Sequence, residues 1–226
     1  ELSKLGFRVV INYHTNKKKA MNIKNKITEL GFIAEMIKAD ITSESEIKEM
    51  FSQIIRRFNR IDVIVNCATS KISYKKFEVL EWEDYSKEFD MNVKSFFNLI
   101  KSVLPYMKEQ AYGKIIGITS QATEVPTPQF SHYITAKASL EGFLKSLAVD
   151  LAPMGIRINL VSPGMTDTDF TSNISEKAVL VSAAKTPLRR IAQPLDVANA
   201  ICFLASEKSD YFSGETIRVN GGQVMR

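Results

Sequence analysis

In the stretch SHYITAK, Tyr133 precedes Lys137 by four residues. On a helix that spacing stacks the two side chains on one face, with Cβ atoms about 5–6 Å apart. A phenol with a pKa near 10 is a poor proton exchanger at neutral pH, and a neighbouring cation favours its phenolate. At about 4 Å and an effective dielectric near 20 that attraction is about 4 kcal/mol, enough to tune a tyrosine into a general acid or base. The same spacing recurs in YHTNK, where Tyr13 precedes Lys17, so spacing by itself does not decide. Tyr13 ends a strand and Lys17 opens the next helix, so that pair shares no face. Ser120, thirteen residues before Tyr133, ends an otherwise apolar strand, which delivers its hydroxyl to the rim beside the phenol. There it is suited to hold a carbonyl oxygen, although a serine at a strand end is also a common turn cap.

The elements that must position these residues alternate. Residues 7–13 read as a strand, 17–30 as a helix stopped by Gly31, 32–37 as a strand, 44–58 as a helix and 61–66 as a nearly all-apolar strand. Residues 82–107 form one long helical region, 114–120 a strand, 131–152 a helix, 157–162 a strand, 195–206 a helix and 215–220 a last strand. Strands covered on both faces by crossover helices predict an α/β fold. It is a doubly wound parallel sheet in a single Rossmann-like, three-layer domain over 1–226. Such a sheet binds its ligand outside the carboxyl ends of the strands, which here are Tyr13, residues 37–40, 66–69, Ser120 and 162–164.

Composition narrows the classes. A chain of 226 residues, 45% hydrophobic, buries roughly 70% of its unfolded surface around one core. The net charge of +5 suits an anionic partner, but the lysines are scattered and form no basic stripe with interleaved aromatics. A phosphorylated cofactor or an acidic protein fits that charge, and nucleic acid does not. Uncharged apolar stretches stop short of the roughly 18 residues of a membrane span, and no secretory pattern opens the sequence, so a soluble cytoplasmic protein is expected. Cys67 and Cys202, with His14 and His132, show no ligand spacing, and no metal is expected.

With the phrase ITSQATEVPTPQFSHYITAKASLEGF in place, the chain resembles the short-chain dehydrogenase/reductase family from residue 1 to 226. The resemblance implies that Ser120, Tyr133 and Lys137 are the catalytic set, with Asn92 of MNVKSFF as a fourth member that supports a water-linked proton relay to the lysine. It implies that Asp40 contacts adenine with Ile41 beside the ring, and that Asn66 and Ala68 of VNCATS line the cofactor. Pro163, Gly164, Thr166 and Thr168 of SPGMTDT would belong to the loop that closes over the nicotinamide. Residues 169–185 would be a mobile lid. Tyrosine seven residues before the lysine marks the enoyl reductases, and Phe130 holds that place here. The segment order instead resembles the 3-oxoacyl-[acyl-carrier-protein] reductases.

Two departures stand out. Cys67 and Thr69 replace the family's usual Asn and Gly, and Thr69 narrows a close approach of backbone to cofactor. No strand and glycine-rich phosphate loop precede Glu1, which falls inside what would be the following helix, so roughly 10–20 further residues are expected before it. The end of the second family strand, Tyr13, is followed by HTNKKK without an acid, which favours NADP(H) over NAD(H), with His14 and Asn16 as phosphate contacts. The implied activity is NADPH-dependent reduction of a ketone, including 3-oxoacyl thioesters carried by an acyl carrier protein, in a homo-oligomer. An NAD-dependent alcohol or sugar dehydrogenase and a catalytically silent reductase-like scaffold are the alternatives.

Overall fold

In the computed structural model, which describes residues 1–70, 73–168, 171 and 174–225, strands and helices alternate along the chain. β1 (Val9–Tyr13), α1 (Lys17–Glu29), β2 (Ala34–Lys38), α2 (Glu44–Phe58) and β3 (Val63–Asn66) come first. Next are α3 (Trp82–Phe89), a π-helical turn (Asp90–Lys94) and α4 (Ser95–Gln110). β4 (Gly113–Ile118), α5 (Ser131–Leu151), β5 (Ile156–Pro163), α6 (Glu176–Lys185), α7 (Pro194–Ala205) and β6 (Thr216–Val219) follow. Among the described residues no helix is long and apolar enough to cross a membrane.

Local chemistry sets the ends. α2 starts at Ser43, whose side chain accepts from the Glu46 amide, has Glu44 and Glu46 in its first turn and Arg56 and Arg57 in its last, and stops at Asn59 in left-handed backbone. Cap, charges and stop all agree with the helix dipole. α1 is the contrast: Asn16 caps it by accepting from the Lys19 amide, yet its first turn is cationic.

All ladders are parallel. β1 pairs with β2, and β3, β4, β5 and β6 follow in that order, with no ladder between β1 and β3 among the described residues. Alternate strand residues serve opposite faces, as a period of two requires. Ile115 of β4 and Leu160 of β5 join α2, α4 and α5 through Phe51, Leu99, Val103, Leu140 and Leu144. Ile116 and Val161 join Ile201, Leu204 and Ala205 of α7 on the other side. Burial on both faces explains why these strands read as continuous apolar runs.

Two expectations need correction. Residues 82–107 are not one helix: the Ser95 amide bonds to the Asp90 carbonyl, a five-residue step that inserts the π turn between α3 and α4. The strand expected over 114–120 stops at Ile118, because Ser120 leaves the ladder to accept from the Ala122 amide at 3.2 Å and open a short 3-10 turn. Within 169–185, Asp169, Phe170, Ser172 and Asn173 lie outside the described residues, while α6 is regular and capped by Ser175.

Candidate active site

Three of the four expected catalytic residues meet at the carboxyl end of β4. Ser120 lies just beyond that strand, and the first two turns of α5 carry Tyr133 and Lys137, which are 6% and 4% exposed. The Lys137 ammonium donates to the Ile118 carbonyl at 2.7 Å and lies 5.7 Å from the centroid of the Tyr133 ring. The Ser120 hydroxyl hydrogen-bonds the Tyr133 phenol. Phe130, at the residue before α5, stacks on the Tyr133 ring with centroids 4.3 Å apart and planes 14° apart, and Tyr74 packs against Phe130 at 4.8 Å. The phenol is thus walled by aromatic carbon and held at its oxygen by the Ser120 hydroxyl.

Electrostatics here differ from the sequence expectation that the lysine lowers the tyrosine. Burial pushes the Tyr133 phenol up to about 12, with the Ser120 hydrogen bond pulling down and the Glu88 carboxylate and Tyr74 phenol pushing up. Burial also brings Lys137 down to about 8, countered by Glu88 and Cys67. Both shifts have one cause, the cost of placing charge in a poorly hydrated pocket. At neutral pH the phenol keeps its proton and the lysine stays largely cationic, the pair of states a proton donor needs.

Asn92, 2% exposed, sits in the π turn, where its Nδ2 donates to the Glu88 carbonyl at 2.9 Å and to Glu88 Oε2 at 3.2 Å. Sequence reasoning found Asn92 but missed Glu88 and Ser70, whose hydroxyl bonds to Glu88 Oε1. An acidic residue four positions before Asn92 on the same helical region was the available signal.

The expected cofactor contacts follow the carboxyl ends of β1, β2, β3 and β5. At the end of β1, His14 Nε2 lies 3.9 Å from Asp40 Oδ2, and Asp40 Oδ1 accepts from the Thr42 amide at 2.9 Å and hydroxyl at 2.8 Å. Ile41 follows Asp40 at the rim, with its side chain 7% exposed and packed in the core. Asn16 spends its oxygen on the helix cap, which leaves its amide for a ligand. Asn66 accepts from the Ala68 amide at 3.0 Å and donates to Ser95 Oγ at 3.3 Å, tying the segment after β3 to α4. Pro163 ends β5 and Gly164 bonds back to the Val219 carbonyl at 2.9 Å. Thr166 Oγ1 donates to the Gly164 carbonyl at 3.0 Å and Thr168 Oγ1 to the Thr166 carbonyl at 3.5 Å, so the loop is held by its own hydroxyls.

One observation fits a polar ligand laid across these strand ends. The side-chain oxygens of Thr119, Ser162 and Gln121 are buried without a protein partner, and such atoms need one. A Cβ on Gly164 would come within 3.1 Å of Asn220 Cα and Gln121 Oε1, tighter than ordinary van der Waals contact, so glycine lets this loop pack closely on the segment after β6. A cavity of about 100 Å³ lined by Gly164, Met165, Arg190, Asn220 and Gln223 adjoins this loop.

Residues 1–223 match the family model described as "Enoyl-(Acyl carrier protein) reductase". The chain is 35% identical over 227 residues to the 3-oxoacyl-[acyl-carrier-protein] reductase FabG of Staphylococcus epidermidis, covering 100% of this chain and 92% of that protein. It is 34% identical over 225 residues to the FabG of Buchnera aphidicola, covering 100% and 90%. Among solved structures it is similar to a 7 alpha-hydroxysteroid dehydrogenase complexed with NADH and 7-oxo glycochenodeoxycholic acid. There the TM-score is 0.90 at 32% identity, covering 96% of this chain and 84% of that one. A gluconate 5-dehydrogenase from Burkholderia cenocepacia in complex with NADP and tartrate gives a TM-score of 0.90 at 26% identity, covering 98% and 87%.

Proposed function

The chain belongs to the short-chain dehydrogenase/reductase family of oxidoreductases, and on that premise we propose that it is an NADPH-dependent carbonyl reductase acting on 3-oxoacyl thioesters. The observation that carries the reading is the buried Tyr133 phenol, bonded to Ser120 and held protonated beside a cationic Lys137. A phenol in that state gives up a proton only when an adjacent oxygen gains negative charge, as a carbonyl oxygen does when its carbon is reduced. Ser120, already bonded to the phenol oxygen, positions the carbonyl oxygen against it. Lys137 stabilises the phenolate that forms, and the Ile118 carbonyl fixes where that ammonium stands.

NADPH, when bound, supplies the hydride. His14, Asn16 and the cationic first turn of α1 would hold its adenosine phosphate, since no acid follows Tyr13 to select ribose hydroxyls. Asp40 and the Ile41 backbone would meet the adenine, Asn66 and Ala68 the central strand ends, and Pro163, Gly164, Thr166 and Thr168 the nicotinamide side. The acyl thioester preference rests on the FabG relatives, and the aromatic wall of Phe130 and Tyr74 suits an acyl chain. An acyl carrier protein would deliver that chain, and a homo-oligomer is the assembly we infer.

The test is NADPH and NADH oxidation with a panel of 3-oxoacyl thioesters, 3-oxo steroids and keto sugars. Faster turnover of the thioesters with NADPH supports the reading. Turnover confined to keto sugars with NADH would instead favour the alcohol or sugar dehydrogenase alternative. No turnover of any member would leave the scaffold alternative.

A further inference from the structure

We propose that Glu88 is a positioning residue of the catalytic site, a buried carboxylate that clamps the Asn92 carboxamide and the Ser70 hydroxyl and sets its negative charge against the Lys137 ammonium. Glu88 ends the inner face of α3 and is 7% exposed, an expensive place for a carboxylate unless its oxygens are satisfied. Both are: Oε1 accepts from Ser70 Oγ and Oε2 from Asn92 Nδ2 at 3.2 Å. Asn92 Nδ2 also donates to the Glu88 backbone carbonyl at 2.9 Å. Because the carbonyl only accepts, and the ionised carboxylate does too, the carboxamide cannot be turned over, and Asn92 Oδ1 is fixed as the acceptor it presents elsewhere. Four residues apart on one helical run, Glu88 of α3 and Asn92 of the π turn stack on the same inward side.

Charge argues for the same role. Lys137 is 4% exposed and donates to the neutral Ile118 carbonyl, so the nearest compensation for its charge acts at longer range. Glu88 provides one, and it favours the protonated forms of both Lys137 and Tyr133. Among the described residues, Cys67 and Tyr74, from the segment after β3, also face this pair. His132, beside Tyr133 on α5, turns instead toward Tyr85, Phe130 and Asp84. Ser70 follows Asn66 and Ala68 closely, so the same carboxylate also ties the segment that lines the cofactor to the catalytic helix region.

The test uses Glu88→Gln, which keeps the shape and removes the charge. Titration of the Lys137 13Cε resonance in cofactor-free protein should show a midpoint about 1 pH unit below that of the unsubstituted protein. Glu88→Asp, which retains the charge, should restore much of it. In reductase assays the basic limb of kcat/KM should move to lower pH by a similar amount. A folded Glu88→Gln with an unmoved Lys137 midpoint overturns the proposal. Should Glu88→Gln not fold, the 13Cδ resonance of Glu88 in unsubstituted protein decides: a step at the Lys137 midpoint supports the proposal, and a flat response there overturns it. The kinetic arm rests on the reductase reading and the resonance arms do not, so absence of reductase activity would sink that reading alone.

Discussion

Two lysines are buried at opposite ends of the same strand, and they are treated in opposite ways. Lys114, near the start of β4 and 2% exposed, pairs with Asp210 at 2.7 Å and donates to Ser209 Oγ at 3.0 Å and to the Ser206 carbonyl. Lys137 donates to the carbonyl of Ile118, the last residue of β4, at 2.7 Å, and its carboxylate partner Glu88 acts from a distance. At one end the chain satisfies a buried cation fully; at the other it leaves the cation undersatisfied and close to losing its proton. Strain of this kind persists at functional sites because the surrounding core holds it.

The comparison breaks most sharply at the chemistry. Tyr133→Phe should lower kcat/KM by about 10³-fold, within the range that general acid catalysis supplies, while Lys114→Met leaves the rate per folded molecule unchanged. Steady-state NADPH oxidation checks both. Stability should then move in opposite directions. The fall of Lys137 from 10.5 in the unfolded chain to about 8 corresponds to on the order of 3 kcal/mol of destabilisation below pH 8. The folded state binds fewer protons than the unfolded state between those values, so that cost fades as pH rises from about 8 to about 10.5. Lys137→Met should therefore gain stability at pH 7, by about 3 kcal/mol less the roughly 1–3 kcal/mol lost when the Ile118 carbonyl is left without its donor, with the gain shrinking by pH 10, although it is inactive. Lys114→Met should lose about 1–3 kcal/mol, because the Ser206 carbonyl is left without its donor. Urea unfolding at both pH values measures each.

Smaller effects sharpen the picture. The basic limb of kcat/KM for reduction should fall near pH 8, where Lys137 loses its proton, and not near the phenol at about 12. His14→Asp should shift preference from NADPH toward NADH by about tenfold, or roughly 1.4 kcal/mol, read from the ratio of the two KM values.

Much of this was legible in the sequence, for physical reasons. Ser120, Tyr133 and Lys137 were readable because one strand end and one helix fix their spacing, and strands buried on both faces advertise themselves as apolar runs. The π turn at Asn92 was not readable, since a single five-residue step leaves the apolar period nearly intact. Glu88 was missed because an acid within a helix of mixed polarity looks like solvent-facing surface, and only the fold turns it inward. α6 was missed because it buries little: Leu180 and Val181 stay 63% and 45% exposed, so no amphipathic stripe marks it. The sign of the Tyr133 shift was wrong because a sequence counts the neighbouring cation and cannot weigh burial against it.

The most direct test of the central claim is transfer from NADPH deuterated at the reactive position to a 3-oxoacyl thioester, followed by mass analysis of the product. The account predicts a 3-hydroxyacyl product carrying the deuterium on its carbinol carbon with the unsubstituted protein, and about 10³-fold slower labelling with Tyr133→Phe. Labelling that proceeds equally well in both proteins, or an alcohol without deuterium, would contradict it.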